Sequence, residues 1–577
     1  MPGRARSGLP AWRPAAALAW PAVLAIWIYA WFGRLGFYPT DEGLLQSYTY
    51  RILLGQVPHR DFISPRPIGS AVLHLLDFAI PGPLFEVGRA LALCEYTAAA
   101  ILLAWLVRGV APWRWEWATA LGATGAVLVN MNIFPLMSWY TVDGILLVAA
   151  GLVAVQAGVR SHRPWVFILG FAALGAAATT KQSFVPAPLL GWLLLLPWLR
   201  SRGSWPARTR WLAITGVVAG LPGVALLTAI FLLGGAGAMV TQLTSGSLVY
   251  GRPLVDVWSA HTVLVAVPVA LEVALLTLLH ASLPRRSAVL SVGAQVGLSV
   301  IAIAVPLLAG LGTREPAWGL ATTWMAIVMV GATSLRARSI DVPGVALVGL
   351  AWMSMLSWGY PLPNLVGGSL LFYVLARTWT SVPGAPGRTR LTRGALATGA
   401  LAVLVVVGQQ FALARSTVVY GDLSAPQLVS NLGDVAPAWG GIRTGPRTFE
   451  YIDQVASCSR RYPASREAVL PQNAGIYPAL SLRNPFPIDW MFPDDYHGSY
   501  DRLLQTADRL NREGDYLVLF ETVAPPFYNP NIPPPTTEST ELWHYDDPHQ
   551  VPTEIYARLT GRHAICGRFK VIYAPRP

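Results

Sequence analysis

Residues 33–84 lie between two apolar runs and gather Asp41, Glu42, Arg51, His59, Arg60, Asp61 and Arg66. Only 12% of the chain is charged, about half the share of an ordinary soluble domain, so this concentration needs a cause. An adjacent pair of carboxylates such as Asp41 and Glu42 can take a proton from a hydroxyl. An arginine such as Arg66 can hold a phosphate through a fork of N–H donors. Acids beside an apolar helix are costly to keep there unless they pair or work. Plainer readings stand beside these. Thr40 could cap a helix that starts at Asp41, the two acids then favouring its dipole, and Arg60 and Asp61 could form a local ion pair.

Further groups of the same kind are scattered along the chain. Asp143, in MSWYTVDGILL, stands at the start of an apolar run and could converge with Asp41 or simply cap a helix. Lys181, in TTKQSF, is one of only two lysines; it could meet a phosphate or snorkel to the interface. Arg89 is another cation near the outer end of a run, three residues from Glu86, with which it could pair. Glu272 falls inside an apolar run and has no evident role.

The elements that carry these groups are apolar runs of roughly 17–25 residues, the length of a bilayer span. About thirteen are centred near residues 24, 97, 125, 150, 172, 191, 222, 271, 299, 326, 351, 370 and 404. The chain is 54% hydrophobic with a mean hydropathy of +0.46, so water is not its main solvent. Arg4, Arg6 and Arg13 precede the first run, which passes without a small-residue cleavage site into Trp27, Tyr29, Trp31 and Phe32. It reads as an uncleaved first helix rather than a signal peptide. With the N-terminus inside, arginine clusters near 108–114, 160–163, 200–210, 285–286, 336–338 and 377–393 all fall on the inner side, as the positive-inside rule requires. The net charge of +12 and pI near 9.8 therefore set orientation, and no nucleic-acid partner is expected.

The odd number of spans puts everything after about Arg415 outside. That region, residues 415–577, reads as a small extracytoplasmic α/β domain behind a transmembrane body of residues 1–414. Ala468–Leu470, Tyr516–Phe520 and Phe569–Tyr573 read as strands and Asp501–Arg512 as an amphipathic helix. Pro525–Pro535 reads as a proline-rich loop. Cys458 and Cys566 share this compartment. A disulfide between them would close a loop of about 100 residues, worth about 4–5 kcal/mol; two free thiols are the alternative.

A positive N-terminus, one span, an outer loop bearing Asp41-Glu42, the element G-x-x-P-x-R-D-F at Gly55–Phe62 and the pair Arg66-Pro67 together resemble the C-type (GT-C) glycosyltransferases. The likeness is to the branch of protein O-mannosyltransferases, lipid A aminoarabinose transferase and rhizobial lipopolysaccharide sugar transferases (the glycosyltransferase family 39 type). It covers residues 15–200 best, while the external VLPQNAGIYPALSLRNPFP resembles tails of actinobacterial-type members. The resemblance implies a polytopic α-helical GT-C fold in the cell membrane, and transfer of a sugar from a polyprenyl-phosphate donor to an extracytoplasmic glycan, lipid or protein of the cell wall or envelope. It implies Asp41 as general base with Glu42 beside it, Asp143 as a second acid, and Arg66 on the carrier phosphate; a departing phosphate also needs cations, a role open to Arg66, Lys181 and Arg89. Arg66-Pro67-Ile68 stands where aminoarabinose transferases tend to have Lys-Pro-Pro, which keeps the cation and leaves the sugar open. Whether a divalent metal joins Asp41 is also open; no other cofactor is expected. Two rivals remain. A transporter of lipid-linked sugars predicts paired repeats or broken helices, and an envelope scaffold predicts a degenerate loop.

Overall fold

In the computed structural model, described for residues 12–109, 117–132, 135–201, 204–245, 299–300, 302–304, 307, 311, 317–356, 363–380, 390–417, 419–493, 495–496, 499–523, 541–544 and 549–575, the apolar runs are helices. The body contains α1 (Trp12–Phe32), α5 (Leu84–Arg108), α6 (Trp117–Asn130), α7 (Tyr140–Ser161), α8 (Pro164–Thr180), α9 (Ala187–Arg200), α10 (Trp205–Leu232) and α11 (Ala236–Ser245). It continues with α12 (Ala317–Ala337), α13 (Val342–Met355), α14 (Asn364–Thr380) and α15 (Arg390–Thr417). Eleven of the thirteen expected runs coincide with these helices. The runs near 271 and 299 lie wholly or largely outside the described residues, as do Glu272 and the proline-rich loop.

Among the described residues, five helical stretches are long and apolar enough to cross a membrane: Leu84–Arg108, Tyr140–Ser161, Gln182–Arg200, Trp205–Leu232 and Trp318–Ala337. The surface of α10 makes the solvent plain. Only 11% of its apolar window is buried, and Val217, Leu221, Val224 and Phe231 are exposed on it. A continuous apolar face of this length suits hydrocarbon and not water. Inside the body, α7 and α8 cross where Gly151 and Gly170 meet; a Cβ on either would stand 2.7–2.8 Å from the other's carbonyl oxygen. Small residues let membrane helices approach in this way.

The segment between α1 and α5 folds over one end of this bundle as α2 (Asp41–Leu53), α3 (Gly69–Leu73) and α4 (Leu75–Ala79). The starts of α5 and α7 and the end of α8 lie at this end. At the other end Arg160 donates to the Gly109 carbonyl, so this basic group and the acidic loop occupy opposite ends of the bundle, in line with the charge pattern.

Residues 419–575 build a second unit. Besides a short ribbon of β1 (Ser430–Asn431) and β2 (Arg443–Thr444), it has β3 (Arg466–Leu470), β4 (Tyr516–Glu521), β5 (Arg562–Cys566) and β6 (Phe569–Ala574) in the order β3-β4-β6-β5. β3 and β4 are parallel, joined through α17 (Ile476–Leu480) and α18 (Tyr500–Glu513), while β4–β6 and β6–β5 are antiparallel. The alternation of β4 serves two layers. Leu517 and Leu519 pack with Tyr451, Ile452 and Val455 of α16 (Pro446–Arg461). Val518 and Phe520 pack with Leu503, Leu504, Ala507 and Leu510 of α18 and Ile555 of α19 (Val551–Arg558). A disulfide joins Cys458 on α16 to Cys566 on β5.

The segment between α1 and α5 belongs to both units. Phe37, Leu84 and Phe85 share a core with Trp439 and the sheet, and Ile63 lies in the other layer.

Candidate functional site

Helix α2 is held from the tail side. Gly43 faces Gly475 so closely that a Cβ on Gly43 would overlap the Gly475 backbone, and the Gly475 N–H donates to the Pro39 carbonyl at 2.7 Å. Thr40 does not cap the helix: it has helical backbone angles and no side-chain cap bond. Its hydroxyl instead donates to Gln472 Oε1 at 3.4 Å. At the other end of α2, Arg51 forms a buried bidentate pair with Asp489 at 2.7 and 2.6 Å. Removing one partner would strand a buried charge, so this pair sets where the tail sits.

The two acids at the start of α2 point about 100° apart on the helix and meet different partners. Glu42 takes both prongs of Arg89, at 2.5 and 2.8 Å. Arg89's remaining bonds go to the Gly33 and Gly36 carbonyls, at 2.9 and 2.5 Å. Burial pushes the Glu42 carboxyl up, and Arg89 pulls it back. Glu86, the expected partner of Arg89, pairs with Arg34 at 2.7 Å. Asp41 is 7% exposed and accepts a hydrogen bond from the Tyr420 hydroxyl, just beyond α15. Burial pushes Asp41 up to about 6, with Tyr420 and the charge of Arg66 acting in the opposite direction.

Tyr420 also lines a cavity bounded by Leu35–Tyr38 with Phe32, Glu42 and Arg89, by Pro135–Met137 ahead of α7, and by Arg415 and Val419. Arg415 is buried and donates to the Met131 carbonyl. Arg66 is buried, its guanidinium 5.1 Å from the Tyr140 ring centroid and 5.8 Å from that of Trp139. Lys181, also buried, follows α8 and donates to Thr141 Oγ1 at 3.0 Å. Burial and the neighbouring charge of Arg66 hold the Lys181 amine well below its usual range. Asp41, Arg66 and Lys181 are thus linked through one electrostatic region, and Arg89 is committed to Glu42.

Asp143 has other partners. It is the fourth residue of α7 and caps nothing: its Oδ1 faces His74 Nε2 at 3.3 Å. His74, Glu95 and Asp143 bring their ligand atoms within 4.8 Å of one another, the one group of three or more such side chains, among the described residues, that could hold a metal.

Sequence reasoning missed Tyr420, Arg415, His74, Asp77 and Glu95. Glu95 could have been found, since a charge within an apolar span marks a functional or paired group. Tyr420 had no signal, because only the fold brings it 379 positions back to Asp41. A further buried group lies where β3 and β4 end. Tyr451 and Asn473 donate to Glu521, whose carboxyl burial pushes up to about 8 against those bonds and that of Gln472.

No family model and no curated protein matches the chain. Among solved structures it is similar to the archaeal oligosaccharyltransferase AglB from Archaeoglobus fulgidus in complex with an inhibitory peptide and a dolichol-phosphate. The TM-score is 0.43 at 12% identity, over 88% of this chain and 69% of that one. A second structure, of the Archaeoglobus fulgidus oligosaccharyltransferase in complex with Zn and sulfate, overlaps with a TM-score of 0.43 at 13% identity, over 87% of this chain and 68% of that one. At these values the likeness is confined to the outline of the chain.

Proposed function

We propose that the chain is an integral membrane glycosyltransferase that moves a sugar from a polyprenyl-phosphate donor to an acceptor hydroxyl outside the cell membrane. The observation that carries this reading is Asp41: a buried carboxylate, neutral-poised at about 6, beside a cavity and within electrostatic reach of Arg66. A general base works best when its pKa lies near the working pH. The acceptor oxygen attacks the anomeric carbon, its proton passes to Asp41, and the bond from that carbon to the phosphate oxygen breaks. The electron pair leaves on the polyprenyl phosphate. Arg66 and Lys181 stabilise the departing charge where water is excluded. Arg66, already seated on two aromatic rings, needs little reorganisation to present its donors.

Glu42 does not share the proton. Locked to Arg89, it fixes the first turn of α2 and so aims Asp41. Asp143 is assigned to the support of this end of the bundle. A single displacement with one base inverts the anomeric centre. The donor's prenyl chain stays in the bilayer, which accounts for a site at the membrane surface. The test is release of free polyprenyl phosphate from a sugar-loaded donor by the purified protein. Release that depends on Asp41 supports the reading; donor binding without release, in protein given a range of acceptors, overturns it.

A further inference from the structure

The buried polar cluster under α2 takes no part in the transfer step, yet it is assembled from four separate elements. His74, between α3 and α4, points Nδ1 at Asp77 Oδ1, 2.8 Å away. Asp77 Oδ2 in turn accepts from Gln46 Nε2 at 3.2 Å and from Ser138 Oγ at 3.1 Å. A carboxylate fixed in this way holds one imidazole nitrogen as the N–H and leaves the other, Nε2, as the ligand, which is how metal-binding histidines are oriented. Nε2 faces Asp143 on α7, and a carboxylate oxygen of Glu95 on α5 lies within 4.8 Å of the ligand atoms of both.

Three observations point to a cation. The distance from His74 Nε2 to Asp143 Oδ1, 3.3 Å, matches the edge of a tetrahedron whose metal–ligand bonds are about 2.1 Å, namely about 3.4 Å. Asp143 is fully buried, its Oδ2 and the Oε2 of Glu95 receive no hydrogen bond from a donor side chain among the described residues, and the two carboxyl groups lie within hydrogen-bonding reach of each other. The ligand atoms of His74, Glu95 and Asp143 converge within 4.8 Å of one another, with Asp77 on the far side of the imidazole. With the ligating imidazole neutral, three carboxylates gather at membrane depth, where uncompensated charge is expensive. A divalent ion offsets two of these charges, whereas one shared proton offsets one. Gly88 makes the room: a Cβ there would stand 2.7 Å from Gln46 Nε2 and 2.9 Å from Asp77 Oδ2.

We infer that His74, Glu95 and Asp143 form a site for a divalent transition metal, with Asp77 orienting the histidine. One imidazole and two carboxylates suit Zn²⁺ among the common ions, with a fourth position left for water. The ion joins α5, α7 and the α3–α4 turn, and through Asp77 and Gln46 it steadies the helix that carries Asp41. This site does not use Asp41 or Glu42, and it stands or falls independently of the transferase reading.

The experiment uses the full-length protein in detergent, loaded with Zn²⁺, cleared over a chelating resin and assayed for metal by mass spectrometry. Wild type retains close to one Zn²⁺ per chain. His74→Gln and Glu95→Gln each lower the retained metal at least tenfold, while Asp41→Asn and Glu42→Gln keep it. Asp77→Asn weakens Zn²⁺ affinity by about 10- to 100-fold while saturation still reaches one ion, as loss of an orienting partner does. Titration of wild type with Co²⁺ gives the intense visible bands of a low-coordinate nitrogen and oxygen site, a readout that requires no variant to fold. Wild type that retains no Zn²⁺ and gives no such bands overturns the inference and leaves a shared proton as the compensation. Metal lost in Asp41→Asn but kept in Glu95→Gln overturns it too, by placing the ion at the acid pair.

Discussion

Replacing Asp41 by Asn separates what the carboxylate costs from what it does. A folded-state value of about 6 against an ordinary 3.8 corresponds to about 3 kcal/mol, at about 1.4 kcal/mol per tenfold change in proton affinity. The sign follows from linkage. Below about pH 4 the acid is neutral whether folded or unfolded and contributes nothing. Between about 4 and 6 the folded form holds the extra proton, so stability falls as pH rises, and above 6 the full cost is present. Asn carries no charge and can still accept the Tyr420 hydroxyl, so at pH 7.5 Asp41→Asn should melt at or above the wild-type temperature. Transfer should fall at least about a hundredfold, since general-base contributions run from about 10² to 10⁴. The assay pairs thermal melting in detergent with release of polyprenyl phosphate from pH 4.5 to 8.5. Wild-type turnover should drop as pH falls through about 6, and the residual activity of the variant should lack that limb. A well-folded Asp41→Asn protein with nearly full transfer would refute the argument, as would a wild-type profile that stays flat through pH 6.

Four other outcomes follow from the same geometry. Arg66→Ala should weaken donor binding by about 10- to 100-fold, the worth of a charge-assisted bond of about 1.5–3 kcal/mol, and Arg66→Lys should recover part of it; unchanged affinity in both would move the phosphate to Lys181. Gly43→Val should force α2 and Gly475 apart, at about 1–3 kcal/mol of overpacking, and open the 470–490 region to protease; a protection pattern like wild type would refute the docking. Cys458→Ala with Cys566→Ala should destabilise the tail by up to about 5 kcal/mol, because the bond spans 108 positions; an unchanged melting transition for that unit would contradict it. Reporter fusions after Arg210 and Arg390 should lie inside and those after Arg415 outside, and an inside signal for the tail would remove the compartment in which the donor is met.

Apolar runs and arginine clusters determine the helical bundle and its two ends, because bilayer length and the positive-inside rule act on local composition alone. Eleven helices stand where the runs stand. The strands at 468–470, 516–520 and 569–573 were equally legible from short apolar alternation, whereas β5 was not, its residues being too exposed and mixed for a pattern. Asp41, Glu42 and Arg66 were visible as charges in a chain starved of them. What each charge meets was not visible. The helix start at Asp41 suggested a Thr40 cap, but a buried hydroxyl takes the partner the fold supplies, and here that is Gln472. Glu86 and Arg89 are spaced to pair on an isolated helix, yet that interaction is worth only a few tenths of a kcal/mol. A fully buried Glu42 cannot remain without a counter-charge, so Arg89 goes to Glu42 and Glu86 to Arg34. Asp143 could have converged with Asp41 or capped α7; its side chain caps nothing and lies in a cluster with His74 and Glu95. Composition and periodicity act within one helix or strand. The pairing of buried charges is set by contacts across 40 to 400 positions, which only the packed chain brings together.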